Sequence, residues 1–118
     1  MKKILLDTSF LIDLVKFRIH LEEIGKLVEE KHEFYIPIQV TDELKKKKTW
    51  YAKAALKLIE SLNLNIVENE EKDADKAILS LTNENTLVAT NDKKLRTKLK
   101  KFGIKTIYLK GKKYLAIG

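Results

Sequence analysis

Two aspartates stand where apolar runs stop: Asp7 after Ile4-Leu5-Leu6, and Asp92 after Leu87-Val88-Ala89-Thr90-Asn91. In open α/β sheets the carboxyl ends of the strands are where ligands bind. Glu43 and Asp75 follow two further strand-like runs, 34–38 and 64–67, so all four acids are expected on one edge of a parallel sheet. Taken singly, each is explained by capping, because Asp and Glu in a first helical turn satisfy free amides and complement the dipole. As a set they point to a metal. Converging carboxylates raise one another's pKa values unless a cation neutralises them. Hard oxygen donors without His or Cys select Mg²⁺ or Mn²⁺, and such an ion activates water and stabilises the charge on a phosphodiester.

The cations are as unevenly placed as the acids. The net charge is +7, yet residues 93–118 hold ten Lys or Arg and no acid, while the first 92 hold 14 basic and 17 acidic residues, net −3. A basic stripe starting directly after Asp92 is an electrostatic footprint for a polyphosphate, nucleic acid above all; the bland alternative is a solvated lysine face. Lys93, Lys94 and Arg96 in that stripe, with Lys45 and Lys46 beside Glu43, are the candidate nucleic-acid-binding residues. The absence of cysteine removes disulfides, zinc-thiolate sites and thiol nucleophiles.

These groups need a scaffold, and the hydrophobic pattern supplies one. Strand-like runs at 3–6, 34–38, 64–67, 87–89 and 104–109 alternate with helical stripes at 8–17, 21–28, from about 41, 50–62, 73–81 and 93–102. Pro37 marks a strand end or an edge. Gly103 suits a helix C-cap, and Gly111 a tight turn into a last short strand at 114–117. Strands separated by helices imply right-handed crossovers. The expected fold is therefore α/β: a single three-layer domain over residues 1–118, with a mostly parallel five-stranded sheet, helices on both faces and a short C-terminal hairpin strand. Periodicity leaves Asp73 and Asp75 both flanking the apolar face of their helix, with Asp73 better suited to the N-cap. The apolar run after Met1-Lys2-Lys3 is too short for a signal peptide and no run suits a membrane span, so a cytoplasmic protein without membrane contact is expected.

The chain resembles the PIN-domain family of metal-dependent ribonucleases. The matching segments are Leu5-Leu6-Asp7-Thr8-Ser9 with Leu11-Ile12, Val40-Thr41-Asp42-Glu43-Leu44, Asp75-Lys76-Ala77-Ile78-Leu79, and Val88-Ala89-Thr90-Asn91-Asp92 with Leu95. They fall in the family's order across nearly the whole chain. The resemblance selects Asp75 over Asp73, since the family acid precedes an aliphatic residue by three positions, here Ile78. It implies a five-stranded parallel sheet with strands one and four adjacent, so that Asp7 and Asp92 meet. It also implies that Asp7, Glu43, Asp75 and Asp92 are catalytic and hold Mg²⁺ or Mn²⁺, with Ser9 and Thr90 supporting the acids or metal-bound water.

The implied activity is endonucleolytic hydrolysis of RNA that leaves a 5′-phosphate and a 3′-hydroxyl. Two branches of the family compete. The segment 103–115 looks more like the branch that processes ribosomal RNA; the alternative is a toxin ribonuclease of VapC type. The corresponding protein partners are a ribosome-assembly factor or an antitoxin, and a homodimer is compatible with either. A non-enzymatic alternative is a PIN-like module that binds RNA or protein with its site unused.

Other classes fit less well. A haloacid-dehalogenase-type phosphatase wants a second Asp where Ser9 stands; a receiver domain wants an acidic pair where Leu6-Asp7 stands; a Walker phosphate loop is missing. His20 and His32 have no partner motif and suit surface or capping roles. Trp50-Tyr51 opens a helix, where an aromatic pair ordinarily belongs to core or dimer surface and a base-stacking role is the functional alternative. Tyr108 and Tyr114 are expected to pack across the final hairpin.

Overall fold

In the computed structural model, which describes residues 1–118, β1 (Lys2–Leu6) runs through the middle of the sheet. Ile4, Leu5 and Leu6 are all buried, so both faces of this strand must be covered. The sheet order is β3-β2-β1-β4-β5-β6, with β2 His32–Pro37, β3 Asn65–Val67, β4 Thr86–Ala89, β5 Thr106–Lys110 and β6 Tyr114–Ile117. The first five strands are mutually parallel, and β6 pairs antiparallel with β5. The sheet is thus six-stranded and mixed rather than five-stranded and parallel, because the C-terminal hairpin strand joins it instead of standing apart. The turn that allows this closes by a bond from the Lys113 amide to the Lys110 carbonyl, with Gly111 and Lys112 both at positive φ.

Alternation along the central strands divides the core into two layers. Ile4 and Leu6 of β1 face a cluster of 20 buried residues shared with α1 (Thr8–Lys16), α2 (Ile24–Leu27), α3 (Ile38–Lys46) and α4 (Trp50–Ser61). Leu5 and Val88 face the other way, toward Ile78 of α5 (Ala74–Leu81) and Leu95 and Leu99 of α6 (Lys93–Lys101), a cluster of only 6. One wall of the molecule is thick and the other thin. No helix is long and apolar enough to cross a membrane.

Several element boundaries depart from expectation for local reasons. The chain passes from Pro37 straight into α3 at Ile38, three residues before Thr41. Thr41 looks like an N-cap in the sequence, but its hydroxyl donates to the Ile38 carbonyl (2.6 Å), a bond threonine makes inside helices. Glu43 consequently sits in the second turn of α3, not the first. The expected helix at 21–28 is a 3₁₀ turn (Leu21–Glu23) followed by the short α2. His32 opens β2, where its ring meets Phe34 edge-on. Gly103 (φ +74°) does end α6, with the Ile104 amide donating to Leu99 and the Gly103 amide to Lys100.

Candidate active site

The chain reverses its direction of growth along the sheet between β1 and β4, the switch point at which open α/β sheets form a crevice. Asp7 is the first residue past β1 and occupies the N-cap position of α1 with extended backbone (φ −91°, ψ 160°), yet its side chain makes no capping bond. It reaches across the switch point instead. The Thr90 hydroxyl donates to Oδ2 at 2.7 Å, and the Ser9 hydroxyl donates to the same oxygen at 3.2 Å. Each hydroxyl also accepts an amide from the β4 end, Thr90 from Asp92 (3.1 Å) and Ser9 from Asn91 (3.2 Å). Both hydroxyls thus donate to one oxygen of Asp7, and Oδ1 is left without a side-chain donor.

The other three acids arrive from separate elements. Asp92 caps α6 through Oδ1, which accepts the Lys94 and Leu95 amides at 2.9 and 3.3 Å, leaving Oδ2 without a protein donor. Here capping is real and occupies one oxygen of two. Glu43 is held by the Thr8 hydroxyl, which donates to Oε2 at 2.6 Å. Asp73 takes the N-cap of α5 by accepting the Lys76 amide (2.8 Å), which leaves the Asp75 carboxylate to the cleft.

Asp7, Glu43, Asp75 and Asp92 line one cleft of about 460 Å³. As placed, no three of the acidic or histidine side chains are gathered tightly enough to hold one ion. The donor set nevertheless fits a hard divalent cation: all four donors are carboxylates, no imidazole or thiolate competes, and anchored oxygens alternate with free ones. Mutual repulsion is already felt. Burial pushes the Asp7 carboxyl above the usual carboxylate range, and the Glu43 charge adds to this against the hydrogen bonds from Thr90, the Thr8 amide and Ser9. Asp75 is also raised, first by desolvation and then by the charges of Asp7, Asp92 and Asp73, with Lys98 opposing. An arriving cation relieves both.

Further residues complete the cleft: Thr8, Ile12, Asp13, Lys16, Lys47 and Tyr51, the last of them weighed above for base stacking. Asn91 joins three elements, its Nδ2 donating to Asp13 Oδ2 (2.9 Å) and its Oδ1 accepting the Leu109 amide (2.8 Å). The only local signal for Asn91 is its place between Thr90 and Asp92. A second depression shares Glu43 and Asp75 with the cleft and adds Asp73, Lys76, Leu79 and Lys98. The acids therefore sit where two depressions meet.

The expected cationic residues are more scattered. Lys45 and Lys46 are exposed in the last turn of α3 and do not line the cleft, whereas Lys47 after them does. Lys93 and Lys94 are exposed at the start of α6. Arg96 is half-buried: its guanidinium lies 3.5 Å from the centroid of the Tyr108 ring, and its Nε donates to Thr106 Oγ1 at 3.2 Å. Tyr108 accordingly packs on Arg96, while Tyr114 pairs with Lys110 in the register and is exposed.

Comparison with known proteins shows the family. A family model described as PIN like domain matches residues 4–112. The chain belongs to the PIN-domain family. Among curated proteins it is 36% identical over 127 residues to Ribonuclease VapC4 of Methanocaldococcus jannaschii, covering 99% of this chain and 97% of that one. Among solved structures it resembles the PIN domain endonuclease Utp24, with a TM-score of 0.84 at 24% identity over 98% of this chain and 90% of the other. It also resembles a domain of a functionally unknown protein from M. jannaschii DSM 2661, at TM-score 0.61 and 21% identity over 94% and 93% of the two chains.

Proposed function

We propose that this protein is a divalent-metal-dependent endoribonuclease. The observation that carries the reading is the convergence of Asp7, Glu43, Asp75 and Asp92, from four different elements, on one cleft at the β1–β4 switch point. These four would hold Mg²⁺ or Mn²⁺. Once bound, such an ion supplies Lewis acidity toward the phosphodiester and lowers the pKa of the attacking water. The protein's own part is positioning. Thr90 and Ser9 fix Asp7, Thr8 fixes Glu43, and the helix amides fix Asp92. Lysines around the rim hold the phosphate backbone that the acids alone would repel.

The test is cleavage of a single-stranded oligoribonucleotide with Mn²⁺ or Mg²⁺, with EDTA, and by the Asp92→Asn protein. Metal-dependent products bearing 5′-phosphates, lost in the variant, are expected. Undiminished cleavage in EDTA or by Asp92→Asn overturns the reading, and no cleavage under any condition assigns the fold to an unused binding module.

Two biological roles are open to such an enzyme. Processing of ribosomal RNA or RNA turnover is supported by the likeness of segment 103–115 to that branch, with a ribosome-assembly factor as partner. A toxin role is favoured by the 36% identity to Ribonuclease VapC4, and its partner would be an antitoxin protein. Expression in a bacterial host separates them: a toxin arrests growth and is neutralised by a small protein encoded beside it, whereas a processing enzyme leaves growth intact. Either role places the protein in the cytoplasm.

A further inference from the structure

The cleft has a wall that the acids do not explain. On the α4 side, Thr49 caps the helix by accepting the Ala52 amide, which places Trp50 and Tyr51 at its first two positions. Tyr51 lines the cleft. Trp50 stands beside it with the rings edge to face, centroids 5.7 Å apart and planes at 77°. Lys16 Nζ, also in the cleft lining, lies 4.6 Å from the Tyr51 ring centroid. Tyr51 is thus held from two sides, while the indole it braces is 65% exposed.

An exposed tryptophan calls for a reason, because a side chain of that size is highly buried on average. Expectation placed this pair in the core or at a dimer surface, and the core is excluded by the exposure. A second copy of this chain fits poorly, since Lys46, Lys47, Lys48 and Lys53, all exposed, flank Trp50 in the sequence and a two-fold contact there would set like charges together. The same surroundings suit a polyanion that carries flat rings. We infer that Trp50, positioned by Tyr51, is a stacking platform for an unpaired base beside the scissile phosphate, with Lys16 and Lys47 holding the adjoining phosphates. The substrate class is therefore single-stranded RNA or an unpaired loop. Bases of an A-form duplex are already stacked on one another and offer no free face.

The two depressions that meet at Glu43 and Asp75 give the strand a course. From Trp50, which borders Tyr51 at the cleft's edge, it passes Lys16 and the acids and leaves by Lys76 and Lys98. This inference rests on the nuclease reading for its substrate, yet its test requires no catalysis. Trp50 is the only tryptophan in the chain, so intrinsic fluorescence reports this position alone.

The wild-type protein in EDTA is titrated with a 12-nucleotide oligouridylate and with a perfectly paired RNA duplex. Saturable quenching by the single strand, and little by the duplex, is expected. Affinity for the single strand is measured in parallel with a 5′-labelled oligonucleotide. Trp50→Ala should weaken it roughly 5- to 140-fold, the equivalent of about 1–3 kcal/mol per stacked base, and Trp50→Phe should restore part of the loss. An unchanged melting temperature shows that the alanine protein is folded. Unquenched Trp50 at saturating single strand, or equal affinity of wild type and Trp50→Ala, overturns the proposal. So does a fluorescence change that follows protein concentration, with Trp50→Ala converting a dimer to monomer in sedimentation, which assigns the face to self-association. The two readings fail separately: quenching without metal-dependent cleavage leaves the platform standing, and cleavage by Trp50→Ala at wild-type KM removes the platform alone.

Discussion

Asp7 is the most deeply buried of the four acids. Its folded-state pKa is raised, mainly by burial, and that of Asp75 is raised beside it. From the unfolded carboxyl value near 4 up to the folded pKa, the fold keeps a proton that the unfolded chain has lost, so metal-free stability falls as pH rises through that window. Above the folded pKa the whole cost remains. Asp7→Asn removes the charge and keeps an acceptor for Thr90. The variant should therefore melt several degrees above wild type at pH 8 in EDTA, about 4–8 °C for each kcal/mol relieved in a domain near this size. The advantage should vanish as pH approaches 4, where wild-type Asp7 is itself protonated. If Asp7 helps hold the proposed ion, saturating Mn²⁺ should reverse the order. An advantage that is constant across pH in thermal melts would show that burial of the Asp7 charge is not its source. Thr90 is the second residue to test, because one hydroxyl both donates to Asp7 and accepts the Asp92 amide. Thr90→Val should lower activity about 10- to 100-fold, as the loss of a group that orients metal ligands does. It should also destabilise by about 1–3 kcal/mol for the buried partner left unsatisfied, measured by urea unfolding.

At the scale of elements, the legible parts are those written in local periodicity. The strand-helix alternation, the caps at Asp73 and Gly103 and the start of α6 at Asp92 all announce themselves within a few residues. The start of α3 does not, because Thr41 is a cap in most contexts and here bonds back inside the helix. Asp7, Glu43 and Asp92 could be expected on one sheet edge because strand ends share it whatever the packing, while only the family resemblance separated Asp75 from Asp73. Asp13 and Lys16 were not legible, because their places depend on how α1 packs on α3 and α4. The same limit explains the final hairpin. Gly111 marks a turn, but nothing local says that β6 will extend the sheet rather than lie apart. Gly111 and Lys112 have φ of +61° and +58°, the pattern of a mirror-image turn in which Asn and Gly are favoured. Lysine there costs about 1 kcal/mol relative to a residue that tolerates the left-handed region. Lys112→Asn should accordingly stabilise the protein by about 0.5–1 kcal/mol in urea unfolding, with cleavage unchanged; no gain would mean that the turn relaxes without the strain.

For the molecule as a whole, the question is how a cleft lined by carboxylates attracts a polyanion. Net charge is +7 and the excess lies after Asp92, mostly in α6, with the rest at Lys105, Lys110 and the turn between β5 and β6. Exposed charges outside the cleft lining steer the substrate's approach and are readily screened by salt, with a Debye length of about 8 Å at physiological ionic strength. Lysines that line the site are not. This separates two groups of cations by experiment. Lys93→Glu with Lys94→Glu should slow association with RNA at low salt, an effect that fades as salt is added, with little change in dissociation. Lys16→Gln with Lys47→Gln should instead flatten the dependence of log affinity on log salt by about 1.4, which is about 0.7 for each phosphate of the single strand that a lysine no longer neutralises. Arg96 belongs in neither set, since its guanidinium is committed to Tyr108 and Thr106 and its loss would disturb the packing of α6 on β5. Equilibrium binding between 50 and 300 mM KCl distinguishes the outcomes. A salt slope lowered by the α6 pair and untouched by the Lys16 and Lys47 pair would move the RNA path from the α1–α4 wall to the face of α6.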